Sequence, residues 1–440
     1  MTQARSGERL SFDDAQILRL ESDAIKGHTG KLVVLDPNDG GRPLTAAGLR
    51  QRATERLADL PRLRQRVETP QQGLPVWVDD PDVDLDWHIA ADAADPVGYE
   101  EFRRMAGEIL AERLDHSRPL WRLDLIPLES GRTGMVGRIH HAMADGVSAI
   151  RIVSSLLFDS VATERPQARS TSERRAQPEA THPGRAQTAA SEGEAKARPL
   201  AMRLPATVRR ELRPGADTVL DQHIGSEREI AWIAFPLQRL KEVGHRAGEG
   251  ITLNDVVLAA VAGGLRRWLT DQPATMRAQV PVCLHLRDAD PSIGNRDSFL
   301  NVDLPLSEPD PIARLRTINQ ETRERKLDHD ADTLYAFFHA LGRFRPLYKG
   351  VTRIISGPRE FALSVSNVPG PRERPTILGH EVREFCTFAE PADRHALRVA
   401  VVSLGGDLAF GLCSDPEAID GLDGLAEALE ESVAELEAAV

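Results

Sequence analysis

The sequence predicts an α/β or α+β protein of two domains, and three observations carry that prediction. The chain has 440 residues, more than one core fills at roughly 150 residues per domain. From Val161 to Pro199 there is no Leu, Ile, Met, Phe, Tyr or Trp, and the only Val is Val161 itself. Such a stretch cannot bury enough apolar surface to offset its ordering entropy, so it reads as a disordered linker. On either side, helical and strand periodicities mix without a regular βαβ alternation, and no GxGxxG or Walker loop occurs. The expected organisation is an N-terminal unit 1–160, a disordered or irregular linker 161–225 and a C-terminal unit 226–440.

The elements follow in order. Ser11 caps a first helix, Phe12 to Glu21. Lys31 to Leu35 is a short strand; Ala47 to Ala58 and Tyr99 to Asp115 are helices. Trp121 to Ile126 alternates apolar and polar residues, as a half-buried strand does, and Gly134 to His141 is another strand. Val147, Ile150, Val153 and Leu157 recur at helical spacing. In the second unit Ile230 to Phe235 reads as a strand and Leu253 to Leu269 as a helix. Ala278 to Leu286, Phe299 to Leu304, Ala362 to Ser366, Leu397 to Leu404 and Leu408 to Cys413 read as strands. Leu422, Leu425, Leu429, Val433 and Leu436 mark a C-terminal amphipathic helix.

Composition excludes several classes. Apolar residues are 41% and charged residues 28%, the balance of a soluble globular protein. The net charge of −12 argues against a nucleic-acid partner. No run reaches the ~20 apolar residues of a membrane span; Ile251 to Leu265 comes nearest and carries Asn254 and Asp255. The N-terminus has no apolar signal region. Cys283, Cys386 and Cys413 are odd in number and widely spaced, which fits a reduced cytoplasmic protein with neither a zinc site nor a disulfide frame. Arg198, Arg203, Arg209, Arg210 and Arg213 interleave with Leu200, Met202, Leu204, Val208 and Leu212. A basic amphipathic segment can lie on an anionic lipid surface, as peripheral membrane or lipid-droplet contact, or dock on its own domain. Pro199, Pro205 and Pro214 argue against a long helix there.

The most informative stretch is His140-His141-Ala142-Met143-Ala144-Asp145-Gly146. On a strand, His140 shares a face with Arg138 and Val136, and His141 shares the other with Ile139 and Gly137. The imidazoles then point apart, which argues against joint metal ligation. Asp145-Gly146 is a turn signal before a helix. A histidine at a strand end beside a carboxylate and a helix start suits general-base catalysis, since a neutral imidazole can take a hydroxyl proton. No GxSxG nucleophile elbow is present. The bland alternative is a buried, hydrogen-bonded histidine pair.

HHxxxDG matches the motif of the CoA-dependent acyltransferase superfamily, which includes chloramphenicol acetyltransferases, carnitine acyltransferases and peptide-synthetase condensation domains. More closely, the chain resembles the bacterial wax ester synthase/diacylglycerol acyltransferase family nearly end to end. LSFDDAQILRLES resembles its opening, and Leu60 to Val67 and Asp84 to Ile89 its usual wording. LDHSRPLW, Leu114 to Trp121, carries its PLW motif, and Asn254-Asp255 its ND motif. Gly294-Asn295-Arg296 and Ser366-Asn367-Val368-Pro369-Gly370-Pro371 complete the set.

The resemblance implies two chloramphenicol-acetyltransferase-like domains, each a mixed sheet flanked by helices, with a tunnel between them. CoA would enter from one face and the acceptor from the other. His141 would be the general base and His140 its supporting neighbour. Asp145 would hold the turn through an ion pair to an Arg, and Gly146 would permit the turn. Asn254 would position His141 or stabilise the oxyanion. Pro119, Leu120 and Trp121 would shape the acyl or acceptor channel, and Ser366 and Asn367 would lie near the CoA tunnel. The reaction would make triacylglycerol or wax ester, with acyl-CoA as substrate and no metal or bound cofactor. On physics alone, Trp121 is a core residue, Asn254 a helix cap and the Ser-Asn-Val-Pro-Gly-Pro run a strand ending in a rigid turn.

Three departures bear on the acceptor. Ser403-Leu404-Gly405-Gly406 stands where the family has a Tyr in a Ser-Tyr-x-Gly pattern. His285 follows Pro281-Val282-Cys283-Leu284 where an Arg is common, with Arg287 two residues on. Asp221-Gln222 replaces the usual Asn-Gly. These leave two other readings: the same chemistry on a secondary-metabolite alcohol or amine, or a non-catalytic acyl-CoA or lipid-binding relative. The acyl chain length and oligomeric state are not readable from the sequence.

Overall fold

A computed structural model describes residues 7–70, 73–91, 95–160, 200–211, 213, 215–283, 297–342 and 360–440. The chain opens with β1 (Glu8–Arg9) and α1 (Phe12–Leu20), and the Ser11 hydroxyl caps α1 by accepting from the Asp14 N–H at 3.0 Å. There follow β2 (His28–Leu35), α2 (Ala46–Arg56), β3 (Gln65–Glu68), β4 (Val76–Asp79), α3 (Leu85–His88) and β5 (Ile89–Ala91). Then come α4 (Tyr99–Ala111), β6 (Trp121–Pro127), β7 (Thr133–His140) and α5 (Gly146–Leu157). The second half begins with α6 (Leu200–Glu211), β8 (Glu229–Pro236), α7 (Leu237–Ala247), α8 (Leu253–Trp268), β9 (Met276–Cys283) and β10 (Asp297–Leu304). It continues through α9 (Pro311–Leu327), α10 (Asp330–Gly342), β11 (Leu363–Val368), β12 (Thr376–Ile377), β13 (His380–Ala389), β14 (Leu397–Leu404), β15 (Asp407–Ser414) and α11 (Leu422–Ala438).

Two six-stranded mixed sheets result, β12-β13-β2-β7-β6-β5 and β10-β9-β11-β14-β15-β8, beside a small sheet β1-β4-β3. The second sheet divides its faces by alternation. Leu397, Val399, Val401, Phe410 and Leu412 join a core with α8 and α11. Val402, Leu404, Ala409, Cys413 and Ile230 belong instead to the core of the N-terminal sheet. One face of the C-terminal sheet is therefore the interdomain wall.

The boundary differs from the expected 1–160 and 226–440. β12 and β13 come from the C-terminal half yet complete the N-terminal sheet, with β13 pairing antiparallel to β2. No strand is expected there from the pattern, because the register shifts between Val382 and Glu384. That bulge moves the buried apolar positions from Val382 to Phe385, Cys386 and Phe388 and breaks the period of two.

The linker also differs in part. Residues 200–211 form α6, a helix that runs through Pro205. It docks on its own domain: Thr207 donates to Asp330 at 2.6 Å, and Arg210 pairs with Asp328 and Asp330 at 2.9 and 3.0 Å. Arg213 pairs with Asp303, and buried Glu211 with Arg325. Two of the five arginines of the basic stretch, Arg210 and Arg213, thus pair with acids of the same domain, and Arg203 donates to the Asp328 carbonyl. Residues 161–199, with Arg198 and Pro199, lie outside the described residues, as do Leu212, Pro214, His285, Arg287 and Gly294-Asn295-Arg296.

Candidate active site

The HHxxxDG segment turns from β7 into α5, and its backbone is held from both sides. The His140 N–H donates to the Leu120 carbonyl at 3.0 Å, and the His141 N–H donates to the Gly27 carbonyl at 2.9 Å. Gly27 has φ +76°, and a Cβ on it would stand 2.4 Å from His140 Nε2, so only glycine fits. Its own N–H and that of Lys26 donate to Glu390 at 2.8 and 2.6 Å, and Arg228 pairs with Glu390 at 2.9 Å. Arg228 and Glu390 therefore fix the turn that fixes His141.

The two imidazoles do point apart. His140 is fully buried, and its Nδ1 accepts the Ala142 N–H at 3.1 Å. Nε2 must then carry the ring proton, which it donates to Glu21 Oε1 at 2.7 Å. His116 Nε2 contacts the same oxygen at 2.9 Å. Burial raises the Glu21 pKa, but the hydrogen bonds and charges of His116 and His140 outweigh it and bring it down to about 2. The ligand atoms of Glu21, His116 and His140 lie within 4.8 Å of one another, the spacing of a metal site. The Ala142 bond argues against one: a metal on Nε2 would force the proton onto Nδ1, against an N–H.

His141 is half-buried on the other face. Burial, then the charges of His140, Lys31 and Arg398, pushes its pKa down to about 3. The ring is neutral at any physiological pH. Arg398 belongs to β14 of the C-terminal sheet, so His141 stands at the interdomain wall.

The other expected site residues divide. Asp145 is buried and caps α5, accepting the Ser148 N–H at 2.6 Å. No ion pair of Asp145 to an Arg is found among the described residues, and Arg287 lies outside them. Gly146 is not at positive φ, so the turn itself does not demand glycine, and a Cβ there would meet Val368 Cγ2 tightly, at 3.3 Å. That contact brings the Ser366-Asn367-Val368 strand against the HHxxxDG turn, with Ser366 and Asn367 half-buried on β11. Trp121 and Leu120 are buried in the N-terminal core. The Trp121 indole donates to the Leu63 carbonyl at 2.9 Å, and its ring stacks on His88 at 4.3 Å. Pro119, also buried, leads into that core, so Pro-Leu-Trp anchors the strand end through the Leu120 carbonyl. Asn254 is half-buried at the second residue of α8 and is not its cap. Thr252 and Asp255 form the capping box, and Asp255 also accepts from Thr322 and Asn319 at 2.6 and 2.9 Å. A cavity of about 340 Å³ opens between the domains, lined by Tyr99, Trp232, Glu384, Arg374, Cys386 and Leu404, and none of the expected residues reaches it.

Sequence reasoning missed Glu21, His116, Lys31 and Glu390. Glu21 and His116 sit inside stretches that carry the family resemblance. Glu390 is 363 residues from Gly27, and no local signal marks it.

Two mixed sheets meeting at an HHxxxDG turn define the chloramphenicol-acetyltransferase-like, two-domain acyltransferase fold. The structure of the wax ester synthase/diacylglycerol acyltransferase from Marinobacter aquaeolei VT8 is similar at TM-score 0.67 and 23% identity, covering 98% of this chain and 99% of that one. The starter condensation domain of rhizomide synthetase, solved with C8-CoA and Leu-SNAC, is similar at TM-score 0.59 and 14% identity, covering 99% and 94%. The chain belongs to the wax ester synthase/diacylglycerol acyltransferase family: that family's catalytic domain matches residues 10–257 and its C-terminal domain residues 293–437. A putative diacylglycerol O-acyltransferase of Mycobacterium tuberculosis is 31% identical, over 93% of this chain and 92% of its own length. A probable diacylglycerol O-acyltransferase of the same organism is 30% identical, over 85% and 83%. The protein is an acyltransferase.

Proposed function

We propose that the protein transfers an acyl group from acyl-CoA to the hydroxyl of a lipid alcohol, a diacylglycerol or a long-chain fatty alcohol, with His141 as general base. The observation that carries this is the neutral His141 ring at the interdomain wall, beside the turn that Val368 contacts. The names of the relatives favour diacylglycerol as the first acceptor to try.

In this scheme His141 takes the acceptor's proton as its oxygen attacks the thioester carbon. The tetrahedral oxyanion collapses, the carbon–sulfur bond breaks, and His141 returns the proton to the CoA thiolate. A ring with a depressed pKa is a weak base but is never lost to protonation, and it passes its proton on readily once it holds one. His140, locked between Glu21 and Ala142, sets the turn. Asp145 holds the start of α5 against the second domain. Ser366 and Asn367 lie near the CoA tunnel, and Asn254 supports His141 from the C-terminal side. No metal or bound cofactor enters the scheme.

Both acceptors reside in a lipid phase, so a peripheral contact with membrane or lipid droplet forms part of this reading. Among the described residues no helix is long and apolar enough to cross a membrane.

The test is CoA release from palmitoyl-CoA by the purified protein with diacylglycerol, with hexadecanol and with neither, alongside His141→Ala. Acceptor-dependent release that the variant loses supports the reading, and the faster acceptor names the product. Release confined to an amine or a secondary-metabolite alcohol would replace the lipid acceptor.

A further inference from the structure

Lys31 stands on β2, the strand between β13 and β7, with 3% of its surface exposed. Its amine donates to Thr387 at 2.7 Å and approaches Thr29 at 3.4 Å. Among the described residues no carboxylate pairs with it. Burial alone brings its pKa down to about 7. An ammonium taken from water with only hydroxyls for company is costly unless an anion joins it.

The register says where that anion would form. Lys31 lies opposite Gly137 and Thr29 opposite Ile139, and the His141 N–H bonds to Gly27. Gly137, Ile139 and His141 therefore follow one another on the face that carries Thr29 and Lys31. By leaning toward Thr29, the amine reaches along β2 toward His141. Thr29 is the diagonal same-face neighbour of His141, at the ~7–8 Å that such neighbours keep, and Lys31 lies one same-face step further along β2. A thioester carbon needs a point ~3 Å from both the base's partner and an oxyanion donor; the amine reaches Thr29, and Thr29 is the residue that separates it from His141 on this face.

We propose that Lys31 is a catalytic residue of the transferase: its ammonium receives the oxyanion that forms on the thioester carbonyl while His141 holds the acceptor's proton. This rests on the acyl-transfer reading above. The oxygen gains its charge as the carbonyl π pair moves onto it, and returns that pair as the carbon–sulfur bond breaks. The groups around the amine are Thr29 on its own strand and Thr387 on β13, with His141 past the end of β7; Arg398 on β14 is a further cation that acts on His141.

Three readouts on Lys31→Met and Lys31→Arg decide it. Loss of the cation lowers kcat by about 10²–10³-fold, the cost of one oxyanion donor, while KM for palmitoyl-CoA moves little and Lys31→Arg recovers part of the rate. The methionine variant melts at the same or a higher temperature below pH 7, where the wild type buries a bare charge; a structural lysine would give the opposite. A difluoromethylene ketone analogue of palmitoyl-CoA, with CF2 between the carbonyl and the sulfur, hydrates to a tetrahedral diol that can ionise to the oxyanion, and it binds the wild type more tightly than palmitoyl-CoA does. Lys31→Met removes that preference alone. Unchanged kcat, or an analogue preference that survives in Lys31→Met, overturns the assignment. If the wild type releases CoA to no acceptor, the lipid-acceptor reading fails, and the analogue still decides Lys31.

Discussion

The two faces of the β2–β7 pair carry opposite electrostatics. On the His140 face every charge has a partner. Glu21 holds two histidines, and buried Arg138 pairs with Asp124 at 3.0 Å and Glu112 at 3.3 Å. On the His141 face stand Lys31 and Arg398, neither of which has an ion pair among the described residues. Burial brings the Arg398 guanidinium down to about 10, against the raising effect of Glu390. Adjacent residues of one motif thus meet a closed polar network and a buried cationic face without ion pairs among the described residues. The first is built to stay as it is. The second is suited to an anion that exists only during turnover.

The largest effect on turnover should come from His141→Ala. A general base is worth about 10²–10⁴-fold, and we expect that loss in CoA release with the melting temperature near wild type. Because His141 stays neutral down to about pH 3, the wild-type kcat profile should show no protonation limb near 6.5, only one well below pH 5. A limb near 6.5 would mean that substrate restores an ordinary imidazole and that the cationic face is weaker than argued. His140→Ala should instead lower stability first, since it removes one of the two histidines that hold the Glu21 carboxylate. Equal kinetic losses in the two alanine variants, both stably folded, would break the contrast between the faces.

Glu21→Gln comes next. The Glu21 pKa is depressed from 4.5 to about 2 on folding, so its charge contributes stability above pH 4.5 that is lost as pH falls toward 2. On the order of 3 kcal/mol is at stake at neutral pH. Urea unfolding at pH 7 and pH 3 should show the wild type falling toward the variant as pH drops. We expect kcat to fall only a few-fold, because Gln still accepts from His140. Asp145→Ala should cost about 1 kcal/mol through the lost cap, with Asp145→Ser recovering it; a loss several times larger would reveal a further partner for the carboxylate.

Much of this is legible in the sequence because local physics decides it. Ser11 and Asp145 cap the helices that their positions suggest, and the alternation along β7 is enough to send the two histidines to opposite faces. What escapes is set at long range or by irregularity. β13 hides behind a bulge. Glu21 acts on residues 95 and 119 positions away and Glu390 on Gly27 at 363, where periodicity carries no signal. Lys31 reads as the polar first residue of an apolar strand, and only its pairing with both β13 and β7 shows it enclosed. The capping box is written as Thr-x-x-Asp, but Asn254, a good capping residue in its own right, lies between its two members. Helix α6 forms despite Pro205 because Thr207, Arg210 and Glu211 tie it to its own domain.

The smallest expected effect sharpens the contrast most. Trp121 lies opposite Ile139 and so shares the face of His141, yet its indole is sealed against His88 and the Leu63 carbonyl. Membership of the face is then not enough; what matters is standing at the interdomain wall. Trp121→Phe removes one buried hydrogen bond and a little volume, worth about 1–2 kcal/mol. A melting temperature lower by several degrees with kcat within two-fold of wild type is expected. A kcat lost ten-fold in a variant that melts normally would instead make Trp121 part of the substrate path, as the resemblance implies, and would extend the reactive surface from the wall into the N-terminal core.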